Sequence, residues 1–248
     1  MDPKFEPVMP GRQPVAPLPA TPSGAGAGEA TLPVSQNAVL RNTSWLLALS
    51  MLPTIAGAFV GMQFNFAAVF KSAPIMAPLL MFGAMLGSLF VVTLLRNSAW
   101  GVVALLGFTF IAGVFLTPIL TVAAGFRNGG QLVALAGGMT AAIFFAMATI
   151  ATVTKKDFSF MGKFLMVGLV LLIVASLANL FFQIPALSLT ISAVAVLIFS
   201  AYILYDVSNI VRGGETNYVM ATLGLFLNLY NLFISLLNIL LAFTGQRD

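Results

Sequence analysis

Residues 164–205 read FLMVGLVLLIVASLANLFFQIPALSLTISAVAVLIFSAYILY, a run of 42 residues without a single charge. A helix rises about 1.5 Å per residue and needs about 20 apolar residues to cross a bilayer, so this run holds two crossings. Gln183-Ile184-Pro185 divides it, because proline cannot continue a helix and pushes the residue before it into extended backbone. The same reading extends outward along the chain. Charge-free runs at 42–70, 72–95, 97–126, 128–154 and 216–246 are 29, 24, 30, 27 and 31 residues long, each sufficient for one crossing. Together they predict an all-α membrane protein with seven transmembrane helices. The expected cores are Trp45 to Gln63, Pro74 to Leu95, Trp100 to Val122, Gln131 to Val153, Phe160 to Phe182, Ala186 to Ile210 and Tyr218 to Phe243.

Composition agrees with this reading. Of 248 residues only 11 are Lys or Arg and 7 are Asp or Glu, 7% charged against roughly 25% in soluble domains. With 60% hydrophobic residues, the surface must face a lipid bilayer. The chain has no His and no Cys, which removes the usual ligands for zinc, copper, haem iron and iron–sulfur clusters; no metal or other cofactor is expected. Basic residues are scattered singly among loops, so no phosphate-tracking patch exists and nucleic acid is excluded as a partner.

Residues 1–36 differ in kind, carrying 8 of the 13 prolines and a Ser-Gly-Ala-Gly-Ala-Gly run. They read as a disordered tail ahead of a transmembrane domain at 37–248. The tail has no apolar stretch of the kind a secretory signal needs, so the first span serves as an uncleaved anchor. Seven spans put Lys4, Arg12, Arg41, Arg96, Lys155, Lys156, Lys163 and Arg212 on the N-terminal side, against Lys71, Arg127 and Arg247 on the other. Basic flanks stay in the cytoplasm, which predicts a cytoplasmic N-terminus and an external C-terminus.

Polar residues inside spans are costly in hydrocarbon and mark places of interest. Asp206 is the one acidic residue within an expected span, followed on the same helix by Asn209 and Arg212. It reads either as a hydrated carboxylate paired with Arg212 or as a buried carboxyl facing the bundle interior. On the last span, Asn228, Asn231, Ser235 and Asn238 follow spacings of three, four and three, which confines them to an arc of about 80°. Ser176, Asn179 and Gln183 repeat that spacing on the fifth span. Such stripes are expected to bond other helices or to line the interior around Asp206. Asp206, Asn209, Arg212, Asn228, Asn231 and Ser235 are the candidate intramembrane polar and proton site. Gly57-x-x-x-Gly61 and Gly83-x-x-x-Gly87 match the small-residue packing pattern, read as close packing within one chain with a homo-oligomer face as the alternative. Pro53, Pro78 and Pro118 predict kinks.

Enzyme readings fail on composition. An intramembrane serine protease needs a His, a zinc protease needs H-E-x-x-H, an aspartyl protease of the presenilin type needs two intramembrane aspartates, and a retinal protein needs a mid-span Lys. None is met, so no catalytic residue is expected and the chain reads as a non-enzyme.

Lys156-Asp157-Phe158-Ser159-Phe160-Met161-Gly162, Ala178-Asn179-Leu180-Phe181-Phe182-Gln183-Ile184-Pro185-Ala186-Leu187, Tyr205-Asp206-Val207-Ser208-Asn209-Ile210, Gly213-Gly214-Glu215-Thr216-Asn217-Tyr218 and Leu229-Tyr230-Asn231-Leu232-Phe233 carry a further signal. Over about residues 37–245 the chain resembles the Bax inhibitor (transmembrane Bax inhibitor motif) family, and within it the bacterial YccA branch. The resemblance implies six helices around a central seventh. It implies a bacterial inner-membrane protein that binds and restrains the membrane-bound AAA protease FtsH, or alternatively a pH-sensitive calcium or ion leak channel. It also implies a pH sensor made of two intramembrane aspartates. Asp206 matches the first position, but Asn228 stands at the second, and one carboxylate is a poor site for a cation that takes 6 to 8 oxygens. A protonated Asp206 would then donate to the Asn228 amide oxygen.

Overall fold

The computed structural model describes residues 34–64, 69, 72–154 and 156–244. Eight helices account for nearly all of them: α1 (Val34–Gly61), α2 (Met76–Leu95), α3 (Trp100–Phe115), α4 (Thr117–Ala124), α5 (Gly129–Thr154), α6 (Met161–Phe182), α7 (Pro185–Val211) and α8 (Tyr218–Thr244). With α3 and α4 in line, seven segments are long and apolar enough to cross a membrane. The ends agree with the expected cores to within two residues, save at the start. There α1 begins at Val34, inside the stretch 1–36 assigned to the tail, the rest of which lies outside the described residues. Arg41 ends the charge-free run but not the helix, because a helix that leaves the hydrocarbon keeps its own hydrogen bonds in the headgroup layer.

The helix ends follow from particular residues. Pro185 opens α7 from Ile184, which is extended at φ −87° and ψ 114°. Gln183 closes α6 in the left-handed region at φ 51° and ψ 42°. The Asn179 side chain then accepts the Ile184 N–H at 3.0 Å. Asn217 caps α8, its Oδ1 accepting from Val219 and Met220 N–H at 3.0 and 3.1 Å. Its Nδ2 donates to the Arg96 carbonyl at 3.0 Å and to Asn97 Oδ1 at 2.9 Å, tying the α2–α3 turn to the start of α8.

The three prolines behave differently, and position within the helix explains why. Pro118 does more than kink its span: it separates α3 from α4 at Leu116. Proline has no N–H for the Val114 carbonyl, and Thr117 Oγ1 takes that carbonyl at 2.7 Å instead. Pro78 lies in the first turn of α2, where N–H groups have no intrahelical acceptor, so the expected kink is not needed there. Pro53 lies inside α1, which runs on through it.

Helix α8 is the most buried span and α2 the least. It packs against α1, α3, α4, α5 and α7, while α2 lies on α3 and α6 on α7. Leu105, Phe108, Ile203, Phe226, Leu232 and Leu237 are all fully buried and form the centre. Phe108 meets Phe226 edge-on with centroids 5.9 Å apart, and the Tyr230 hydroxyl donates to the Ala112 carbonyl at 3.1 Å. On the outside, Phe90, Leu94, Phe164 and Leu197 are exposed, as side chains facing lipid should be. Gly57, Gly61 and Gly113 let α1 and α3 approach so closely that a Cβ at any of them would overlap the facing helix. At Gly83 and Gly87 a Cβ would meet nothing among the described residues, so this second glycine pair packs against none of them.

Candidate intramembrane polar site

Asp206 lies in the last turns of α7, and its Oδ2 accepts a hydrogen bond of 2.7 Å from the Asn228 amide nitrogen of α8. The sequence reading had the two meet with the acid donating; the structure shows the amide as donor, which suits an acceptor oxygen of either the acid or the carboxylate. Gly224 stands one turn before Asn228 on the same face, and a Cβ there would lie 3.2 Å from Asp206 Oδ2, so glycine leaves the carboxyl its room. A cavity of about 60 Å³ adjoins the pair, lined by Asp206, Asn209, Ile210, Glu215, Met220, Ala221 and Gly224. At about 30 Å³ per water it holds one or two small species. Two carboxyls and an amide on such a cavity can polarise water or pass a proton.

Glu215 is the residue that the sequence reading missed. It comes from the α7–α8 turn, its Oε1 accepting the Asn217 N–H at 2.8 Å, and it supplies a second carboxyl facing the cavity of Asp206. Its place in Gly213-Gly214-Glu215-Thr216-Asn217 was the available signal. The turn is tight: Gly213 has φ 77° and the Gly214 N–H donates to the Asn209 carbonyl at 2.9 Å, folding Glu215 back over the end of α7.

The other expected members are placed elsewhere. Arg212 pairs with Asp157, not with Asp206: its Nη2 is 3.1 Å from Asp157 Oδ2 in the α5–α6 connection, both side chains partly exposed. Six residues separate Arg212 from Asp206, about 600° of helix, which turns them about 120° apart. Hydrogen bonds from Ser159, its N–H at 2.8 Å among them, hold the Asp157 carboxyl below its usual range, and the Arg212 charge adds to this. The Ser208 hydroxyl donates to the Lys156 carbonyl at 3.4 Å, so the connection is tied to α7 twice. Among the described residues, Asn231 and Ser235 do not bond other helices. Their side chains donate to the Leu227 and Asn231 carbonyls of their own helix at 2.8 and 2.7 Å, the acceptor four residues back competing with any partner across the bundle. Ser176, Asn179 and Gln183 join Asn238 at the other end of the bundle and not around Asp206, since α7 separates the two ends by about 1.5 Å per residue.

A family model described as "Inhibitor of apoptosis-promoting Bax1" matches residues 36–245. The chain belongs to the Bax inhibitor family. Among its relatives, an uncharacterized protein of Neisseria meningitidis serogroup A is 44% identical over 216 residues, 86% of this chain and 94% of the relative. One from Pseudomonas aeruginosa is 43% identical over 201 residues, 81% and 87% of the two chains. The modulator of FtsH protease YccA of Escherichia coli K12 is 39% identical over 213 residues, 84% and 91% of the two. In this Bax inhibitor family member the intramembrane acid is therefore held by an amide from α8, with a second carboxyl brought by the α7–α8 turn. Among the described residues no group of three or more acidic residues stands ready to hold a metal ion.

Proposed function

We propose that the protein is a bacterial inner-membrane, non-enzymatic modulator of the membrane-bound AAA protease FtsH. The observation that carries this reading is the 39% identity to the E. coli modulator, which runs through 91% of that protein. A protease partner acts by lateral contact within the bilayer and by engaging a cytoplasmic segment. The peripheral, lipid-exposed α2 and α6 suit the first. The Pro/Gly/Ala-rich residues 1–33, in the proposed cytoplasmic orientation, suit the second: a flexible chain of that length would reach about 29 to 34 Å.

Co-purification of the full chain with FtsH from crosslinked membranes tests the partnership. Deleting residues 1–33 should leave the bundle inserted and make it resistant to FtsH turnover; turnover at the parental rate would remove the tail from the mechanism. A second reading, an ion leak, is favoured by the cavity between Asp206 and Glu215. Calcium flux through the parent in liposomes, without FtsH association, would promote it over the first.

A further inference from the structure

At the membrane end opposite Lys156, Lys163 and Arg212, the last turns of α6, the first turns of α7 and Asn238 of α8 enclose a cleft of about 460 Å³. Its volume falls among small-molecule pockets, which run from about 300 to 1,000 Å³. Six of its residues are polar and uncharged: Ser176, Asn179, Gln183, Ser188, Ser192 and Asn238. Asn179 is occupied with the Ile184 N–H. Among the described residues the other five side chains have no hydrogen-bond partner within the protein. The rest of the bundle differs, although the buried Thr43 hydroxyl of α1 also has no partner among the described residues. Elsewhere, hydroxyls such as those of Ser50, Thr54, Thr93, Thr140 and Ser200 donate to a carbonyl three or four residues back.

Ser192 decides the matter. The residue is only 5% exposed and lines the cleft, its hydroxyl having no partner among the described residues; Ser188 and Asn238 are half-buried, and Ser176 and Gln183 are exposed at the rim. Polar side chains on membrane spans that the protein itself leaves without partners, gathered on one cleft, fit an occupant that supplies them. Three hydroxyls and two primary amides offer donors and acceptors together, with no charge among them. An ionised phosphate or amine would lose its hydration here without a counter-charge, whereas a hydroxyl both donates and accepts. The left-handed Gln183 sits on the cleft wall, a backbone strain of the kind that collects at ligand clamps. Leu180, Ile184 and Ile191 form an apolar side of the cleft, fitting the junction of a headgroup and its acyl chains.

We infer that this cleft is a binding site for an uncharged, hydroxyl-rich group, supplied either by the headgroup of a glycolipid or by a free polyol. The test uses the full chain in phosphatidylcholine nanodiscs doped with monoglucosyl diacylglycerol, with unsubstituted diacylglycerol as the control and bound lipid counted by native mass spectrometry. One glucolipid should bind at about tenfold lower mole fraction than diacylglycerol. Ser192→Ala should weaken that preference about tenfold, the loss of one or two neutral hydrogen bonds, and Asn238→Leu should do the same. Ser200→Ala, which bonds its own helix away from the cleft, should leave it unchanged, and unchanged melting temperatures confirm folded variants. Competition by free glucose would assign the site to a soluble polyol, and its absence to the lipid. Equal binding of glucolipid and diacylglycerol with no binding of glucose, or a preference that survives both cleft substitutions, would overturn the assignment.

Discussion

Asp206 and Asn228 show how an amide partner shapes the surroundings of a buried acid. An amide across from a carboxyl keeps the hydrogen bond at 2.7 Å and removes the like-charge repulsion that couples two carboxyls. Asn228→Asp introduces that coupling and should create an ion leak in liposomes that changes between about pH 6 and 8, absent from the parent. Equal pH-dependent flux through the parent would show that Glu215 already serves as the second carboxyl. Asp157 gives a separate pH dependence outside the membrane. Its folded value lies below the unfolded 3.8, so its contribution is present above 3.8 and is lost as pH falls through the lowered value. Asp157→Asn should therefore shorten the difference in melting temperature between pH 7 and pH 3, by an amount that shrinks at high salt because the Arg212 pair is exposed.

Between elements, the two glycine pairs separate packing from mere composition. Both match the same pattern, yet only Gly57 and Gly61 have a facing backbone, that of α3. Gly57→Leu should force α1 from α3 and cost about 1 to 3 kcal/mol or more, whereas Gly83→Leu should leave the melting temperature in detergent unchanged. Equal losses at the two positions would mean that α2 is packed more closely than this fold allows. The proline positions carry the same lesson. A missing N–H matters at Pro118, where a carbonyl needed a new donor, and is harmless at Pro78, where no bond was due.

For the whole molecule, orientation is the open physical variable, and the Cys-free chain makes it measurable. In sealed cells, single cysteines at Gly125 or Thr244 should react with an impermeant maleimide, and cysteines at Ser23 or Gly214 should not. External labelling at Ser23 would invert the assignment and withdraw the tail from any cytoplasmic protease. The two polar cavities then lie toward opposite faces. The carboxyl-lined one sits by the basic end, which the proposed orientation makes cytoplasmic, and the neutral cleft by the opposite end, with Asn231 and Ser235 between them bonded to their own helix.

The seven spans were legible in the residues alone, because excluding charge from hydrocarbon is a one-dimensional cost that a count between charged residues measures directly. Pro185 likewise marked where a helix begins, since a proline acts on its own neighbours, whereas the Asn217 cap was found in the structure. The polar stripe of α8 was visible as a face, but periodicity says which residues share a side and not what that side meets. Helix rotation and packing decided that Arg212 turns to Asp157, that Asn238 joins Ser192 far from Asp206, and that a turn residue, Glu215, completes the acid's surroundings. These contacts join residues distant in the chain, and their geometry exists only once the helices are packed.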